Sequence, residues 1–99
     1  MNKTEEAYDR YLADLQAKGE ILWRKFECVK LRLADNTFYT GDFFVMGANG
    51  QLECHEVKGF WQDDARVKIK VAADTYPFRF IAVKPKPKKE GGGWSMEEF

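Results

Sequence analysis

The sequence predicts a single α+β domain in the order helix, three strands, helix, strand. Three observations carry this reading. Apolar residues near the N-terminus recur at helical spacing, the pattern changes to alternation after Gly19, and the run from Asp63 to Tyr76 returns to a helical face before Pro77 ends it. With 99 residues the chain is long enough for one core and too short for two. Apolar residues make up 44% and charged residues 32%, which excludes collagen-like and intrinsically disordered classes. No run approaches 18 apolar residues, and Met1 to Glu6 lacks the apolar core of a signal peptide, so a cytoplasmic protein with no membrane partner is expected.

Each element has its own justification. From Thr4 to about Lys18, Tyr8, Leu12 and Leu15 form one stripe, with Thr4 as the expected N-cap and Gly19 as the stop. Glu5 falls on the same stripe, an unusual place for a carboxylate. Val29, Leu31 and Leu33 alternate with Lys30 and Arg32, giving a first strand over roughly Lys25 to Leu33. After the turn residues Ala34 to Asn36, Phe38 to Val45 reads as a second strand, and Leu52 to Val57 or Lys58 as a third. Helix follows over Asp63 to Tyr76, with Ala65, Ile69, Ala72 and Ala73 on its inner face. Phe78 to Val83 is the fourth strand. Lys84 to Lys89 reads as an extended basic linker that cannot continue a sheet interior, and Trp94, Met96 or Phe99 should dock residues 84–99 onto the body or a second subunit.

Cys28 and Cys54 form no CxxC pair, and one histidine leaves too few soft ligands for zinc, so both thiols are expected free and buried. Charge is unevenly distributed. Residues 1–65 hold 8 Lys and Arg against 12 Asp and Glu, whereas residues 66–90 hold 8 against 2. That division suits a protein holding a metal with one part and a polyanion with the other, although a solvated basic face is the simpler reading.

The second and third strands fix a register. A three-residue loop Ala48-Asn49-Gly50, with Gly50 left-handed, sets Gly47 opposite Gln51. Continued along the hairpin, this sets Asp42 opposite Glu56 on the face carrying Thr40, Phe44, Met46, Leu52, Cys54 and Lys58. His55 falls on the opposite face. Two opposed carboxylates on a buried face are costly unless a cation lies between them. Oxygen ligands without histidine or cysteine favour Mg²⁺ or Mn²⁺, with the Val57 carbonyl as a further ligand. Lys58 is then placed to orient a water and to stabilise charge on an attacked phosphate, which points to phosphodiester hydrolysis. A mixed-charge cluster on a half-exposed strand is the competing reading.

Thr40-Gly41-Asp42-Phe43, the 14-residue step to Glu56-Val57-Lys58-Gly59 and the order of elements resemble the PD-(D/E)XK nuclease superfamily, above all small phage endonucleases of the Holliday-junction-resolvase-like and VRR-NUC-like kind. The resemblance spans nearly all of the chain and implies a restriction-endonuclease-like core, α-β-β-β-α-β, with a mixed central sheet flanked by helices. It further implies that Asp42 and Glu56 bind metal, that Lys58 serves catalysis and that Glu5 is the helix-borne acid of many members. Gly41 replaces the motif proline, which shapes the strand without touching metal. The implied function is phage DNA processing in the host cytoplasm by an endodeoxyribonuclease.

Arg66, Lys68 and Lys70 would then face phosphates, and Lys84 and Lys86 extend the track. No helix-turn-helix, zinc finger or RNA-binding signature is evident, so branched or junction DNA, recognised by shape, is the expected substrate. One small site cuts one strand at a time, which makes a homodimer the expected assembly. The alternatives are an accessory module that keeps the fold without the activity and binds nucleic acid or protein, and a structural protein of a phage particle.

Overall fold

The computed structural model describes residues 1–99, in which a mixed five-stranded sheet is combined with two helices in an α+β arrangement. Helix α1 (Lys3–Ala17) is followed by β1 (Ile21–Phe26), β2 (Lys30–Ala34), β3 (Thr37–Thr40), β4 (Phe43–Gly47) and β5 (Leu52–Val57). Helix α2 (Asp63–Thr75), β6 (Arg79–Pro85), one 3₁₀ turn (Lys88–Glu90) and β7 (Trp94–Glu98) complete the chain. The sheet order is β1-β4-β5-β6-β7, and β2 and β3 pair as a separate ribbon. Only β5 and β6 are parallel, because α2 carries the chain back across the sheet between them.

Alternation sorts the strands between two cores. On one face Tyr8 and Leu12 of α1 pack on Phe43, Val45, Val57, Ile81 and Val83. On the other, Ile69 and Ala72 of α2 and Leu31 and Tyr39 of the ribbon pack on Phe44, Cys54 and Phe80. Burying one such side chain contributes about 1.5–3 kcal/mol, so each helix is held mainly by its stripe. Of the three α1 residues singled out by spacing, Tyr8 and Leu12 are fully buried and Leu15 is half-buried against the same core.

Several boundaries differ from the sequence reading. The N-cap of α1 is Asn2, not Thr4: its side chain accepts from Glu5 N, and Glu5 Oε1 accepts from Asn2 N, both at 2.8 Å. The expected first strand divides. Its start belongs to β1, which begins four residues earlier, and Glu27, with φ +47°, turns the chain out of the sheet into β2. The expected second strand divides too, at Gly41-Asp42, leaving Tyr39 in the ribbon and Phe43 in the sheet. Gly41 is required there, because a Cβ would overlap Cys54 Sγ.

The basic segment is partly sheet after all. Lys84 and Pro85 extend β6, and Pro85 pairs with Trp94 at the start of β7. The tail therefore docks as a strand. Trp94 packs edge-on against Tyr8 with ring centroids 5.0 Å apart, and Phe99 packs near Trp61 at 6.4 Å, while Met96 stays exposed. Cys54 is buried as expected, but Cys28 is exposed, because it follows the turn at Glu27 instead of lying within a strand. No helix is long and apolar enough to cross a membrane.

Candidate active site

The hairpin register expected from the loop is present. Gly50 is left-handed at φ +81°, and Met46 faces Leu52, Phe44 faces Cys54 and Phe43 faces His55. One position further, Asp42 and Glu56 meet where β4 begins and β5 ends. Both are buried, at 7% exposure each. Asp42 Oδ2 accepts from Val57 N at 2.8 Å, and Asp42 N donates to Glu56 Oε2 at 3.2 Å. Tyr39 Oη donates to the same Glu56 oxygen at 3.0 Å. Lys58 Nζ lies 3.8 Å from Glu56 Oε1, with its side chain 39% exposed.

All donors to the pair other than Lys58 are neutral. Burial, opposed by the Val57 hydrogen bond and augmented by the fields of Glu5 and Glu27, pushes the Asp42 carboxyl up to about 6. Burial, and then the nearby Asp42 charge, pushes Glu56 up to about 7. The pair thus resists holding two negative charges unless a cation joins it. The hydrogen bonds engage Asp42 Oδ2 and Glu56 Oε2, leaving Asp42 Oδ1 without a protein donor and Glu56 Oε1 with only the distant ammonium. Hard, undercoordinated oxygens that gain from positive charge fit Mg²⁺ or Mn²⁺.

The other expected residues fall in different places. Glu5 is half-buried at the start of α1, where the capping box engages its carboxylate. Its charge reaches Asp42, but no third His, Cys, Asp or Glu side chain joins the pair as a three-residue ion site. Thr40, expected beside Asp42, is exposed in the ribbon. Lys68, Lys70, Lys84 and Lys86 are exposed, and Lys68 lines the cleft of about 200 Å³ that contains Tyr39 and Glu56. Arg66 instead pairs with Glu97 at 3.1 Å.

Tyr39 is the neighbour of the pair to which the sequence reading gives no role. In one continuous strand its parity places it on the face away from Asp42; the break at Gly41 re-aims it. A signal existed in the Gly-Asp step, a common breaker of strands. His55 lies on the far face as expected, where Nδ1 is 2.6 Å from Tyr8 Oη and Nε2 is 2.8 Å from Glu53 Oε1. No protein-family model matches the chain, and no curated protein or solved structure shows significant similarity to it.

Proposed function

We propose that the chain is a metal-dependent endodeoxyribonuclease with a restriction-endonuclease-like core, acting on branched or junction DNA in phage DNA processing. The observation that supports it is the burial of Asp42 and Glu56 side by side with only neutral donors and one lysine around them. Structural carboxylates at this depth are ordinarily matched by a buried cation or replaced by apolar residues. A pair kept unmatched fits a site that takes its positive charge from a bound ion and a substrate-facing amine.

In this reading Asp42 and Glu56, with the Val57 carbonyl, would hold Mg²⁺ or Mn²⁺, which supplies Lewis acidity toward the phosphate and toward water. Tyr39 and the Val57 N–H fix the carboxylate oxygens they bond, so the remaining oxygens are oriented without side-chain freedom. Lys58 sets its ammonium beside Glu56, where it offsets negative charge building on the phosphate and positions a water by hydrogen bonding. Glu5 acts through its field on Asp42. Lys68, Lys70, Lys84 and Lys86 offer phosphate contacts, and a homodimer supplies the second site for a two-strand cut.

The test is incubation of the full chain with junction, flap and duplex DNA in Mg²⁺ or Mn²⁺. Cleavage that Lys58→Ala reduces at least 100-fold is expected; intact DNA throughout, with Lys58→Ala identical to wild type, overturns the reading. One observation favours a second reading, an inactive DNA-binding module: no third acid completes the ion site. That reading expects salt-sensitive DNA binding indifferent to EDTA and no Mn²⁺ uptake by Asp42 and Glu56.

A further inference from the structure

Phe60 lies two residues beyond Lys58 and is 78% exposed, more than any other large apolar side chain of the chain. Its neighbour Trp61 turns inward toward Phe99 and Arg66. Phe60 does not. A phenyl ring held in water forgoes the burial that favours folding, so this position contributes little to stability and leaves a flat apolar face available.

The ring is the shared wall of two clefts. One, of about 330 Å³, is also lined by Trp61, Arg66, Lys84 and Glu97. The other, of about 430 Å³, is lined by Lys58, Asp64 and Lys68, and Lys68 continues from it into the cleft that contains Glu56. Arg66 is engaged by Glu97, and Lys58 lies near Glu56, but the seven ion pairs of the molecule leave Lys68 and Lys84 unpaired. An exposed ring therefore lines one cleft with Lys84 and another with Lys68, both free of ion pairs, and Lys68 leads on to the cleft of Glu56.

We propose that Phe60 is a stacking platform for an unpaired DNA base, with Lys68 and Lys84 taking phosphates on its two sides. This deepens the nuclease reading and rests on it for the identity of the substrate. Lysines alone attract any DNA, duplex or not. A ring adds what they lack, since it stacks on any base free of its own helix and gains nothing from bases already stacked in a duplex. A single ring flanked by ammonium groups is too small and too charged for the core of a protein interface. The platform thus gives the site a preference for DNA whose bases are out of stack, without reading sequence.

Fluorescence anisotropy on the full chain in EDTA tests this, with labelled oligothymidylate and a blunt duplex of equal length as probes. Phe60→Ala is expected to weaken single-strand binding about tenfold while leaving duplex affinity and the salt slope unchanged, and Phe60→Trp to retain it. Lys84→Ala should weaken both probes and lower the salt slope by about 1. Absent single-strand binding by wild type, no loss in Phe60→Ala, or equal loss on both probes overturns the proposal. So does a dimer that becomes monomeric in Phe60→Ala without a single-strand-specific loss, because the ring then belongs to an interface between copies. Lys58-dependent cleavage with Phe60→Ala binding like wild type removes the platform alone; Phe60-dependent binding with no cleavage in Mg²⁺ or Mn²⁺ removes the nuclease reading alone.

Discussion

His55 and Glu56 are consecutive on β5, equally deep and on opposite faces of the sheet, yet their surroundings differ in kind. On the α1 face His55 bridges Tyr8 and Glu53, Arg79 Nη1 donates to Glu53 Oε2 at 2.7 Å, and Arg79 also pairs with Glu98. Acids and bases alternate along that chain, and the hydrogen bond from His55 holds the Glu53 carboxyl below its ordinary range. On the α2 face Glu56 meets a second acid, neutral donors and a half-exposed lysine. No fully buried side-chain polar atom lacks a partner on either side. What distinguishes the faces is charge, together with the two carboxylate oxygens, Asp42 Oδ1 and Glu56 Oε1, that accept no hydrogen bond from the protein. A network balanced within itself serves the fold, whereas one that needs a cation from outside is suited to a ligand.

Removing one residue from each face should break this contrast most sharply. Glu56→Ala is expected to abolish cleavage, and Lys58→Ala to reduce its rate at least 100-fold with little change in the urea midpoint, about 3 kcal/mol or more of transition-state stabilisation. His55→Ala should do the reverse. It strands Tyr8 Oη, leaves Glu53 with Arg79 alone and opens a cavity, costing about 3 kcal/mol of stability in urea denaturation, while the cleavage rate per folded molecule stays within about twofold. Loss of cleavage by well-folded His55→Ala protein would join the two faces into one site.

The pH dependence separates the faces next. Asp42 and Glu56 have folded pKa values above their unfolded ones, so the folded chain binds more protons and the pair favours folding most below about pH 4. That contribution is lost progressively as pH rises from about 4 through about 6 and 7. Glu53 has the opposite sign: its lowered pKa gives stability that is present above the ordinary glutamate value of 4.5 and lost as pH falls. Thermal melts should therefore show Mg²⁺ or Mn²⁺ raising the midpoint at pH 8, where the pair is charged, and hardly at pH 5. Glu56→Gln should be more stable than wild type at pH 8 and unresponsive to the ion. A metal response equal at both pH values would show that the ion binds elsewhere.

The site was more legible than the sheet around it. The position of Asp42 opposite Glu56 follows from one loop, because Gly50 in the left-handed region fixes the register and a period of two carries it to the far end. The strand breaks were not legible in the same way. Glu27 turns the chain at positive φ without being glycine, and its N–H donates to the Asp42 carbonyl at 2.8 Å, a long-range bond that no local preference signals. Alternation in Val29, Leu31 and Leu33 marks a strand but does not say which sheet receives it. The tail was read as docked, yet its pairing with β6 depends on Trp94 meeting Tyr8, some 86 positions away in sequence. Glu5 was placed on the correct helical stripe, but the Asn2-to-Glu5 spacing, itself a capping-box signature, engages its carboxylate locally.

Tyr39 gives the smallest effect and the finest test, because Tyr8 is its counterpart across the sheet. Each is a buried tyrosine whose hydroxyl meets a titratable side chain on β5, Tyr39 at Glu56 and Tyr8 at His55. Tyr8→Phe deletes the bond to His55, and Tyr39→Phe the bond to Glu56 together with a weak contact to Cys54 Sγ at 3.8 Å, each change costing about 1 kcal/mol of stability. The consequences for metal should diverge. Tyr39 stabilises the charged form of Glu56, so Tyr39→Phe raises the Glu56 pKa further above about 7 and frees the carboxylate to rotate, weakening Mn²⁺ binding about tenfold in calorimetry at pH 8. Tyr8→Phe touches only the balanced face and should leave Mn²⁺ affinity unchanged. If both variants lower affinity alike, the sheet transmits strain between its faces. If neither does, the Tyr39 hydroxyl serves packing alone, and Glu56 is oriented by its backbone bond to Asp42.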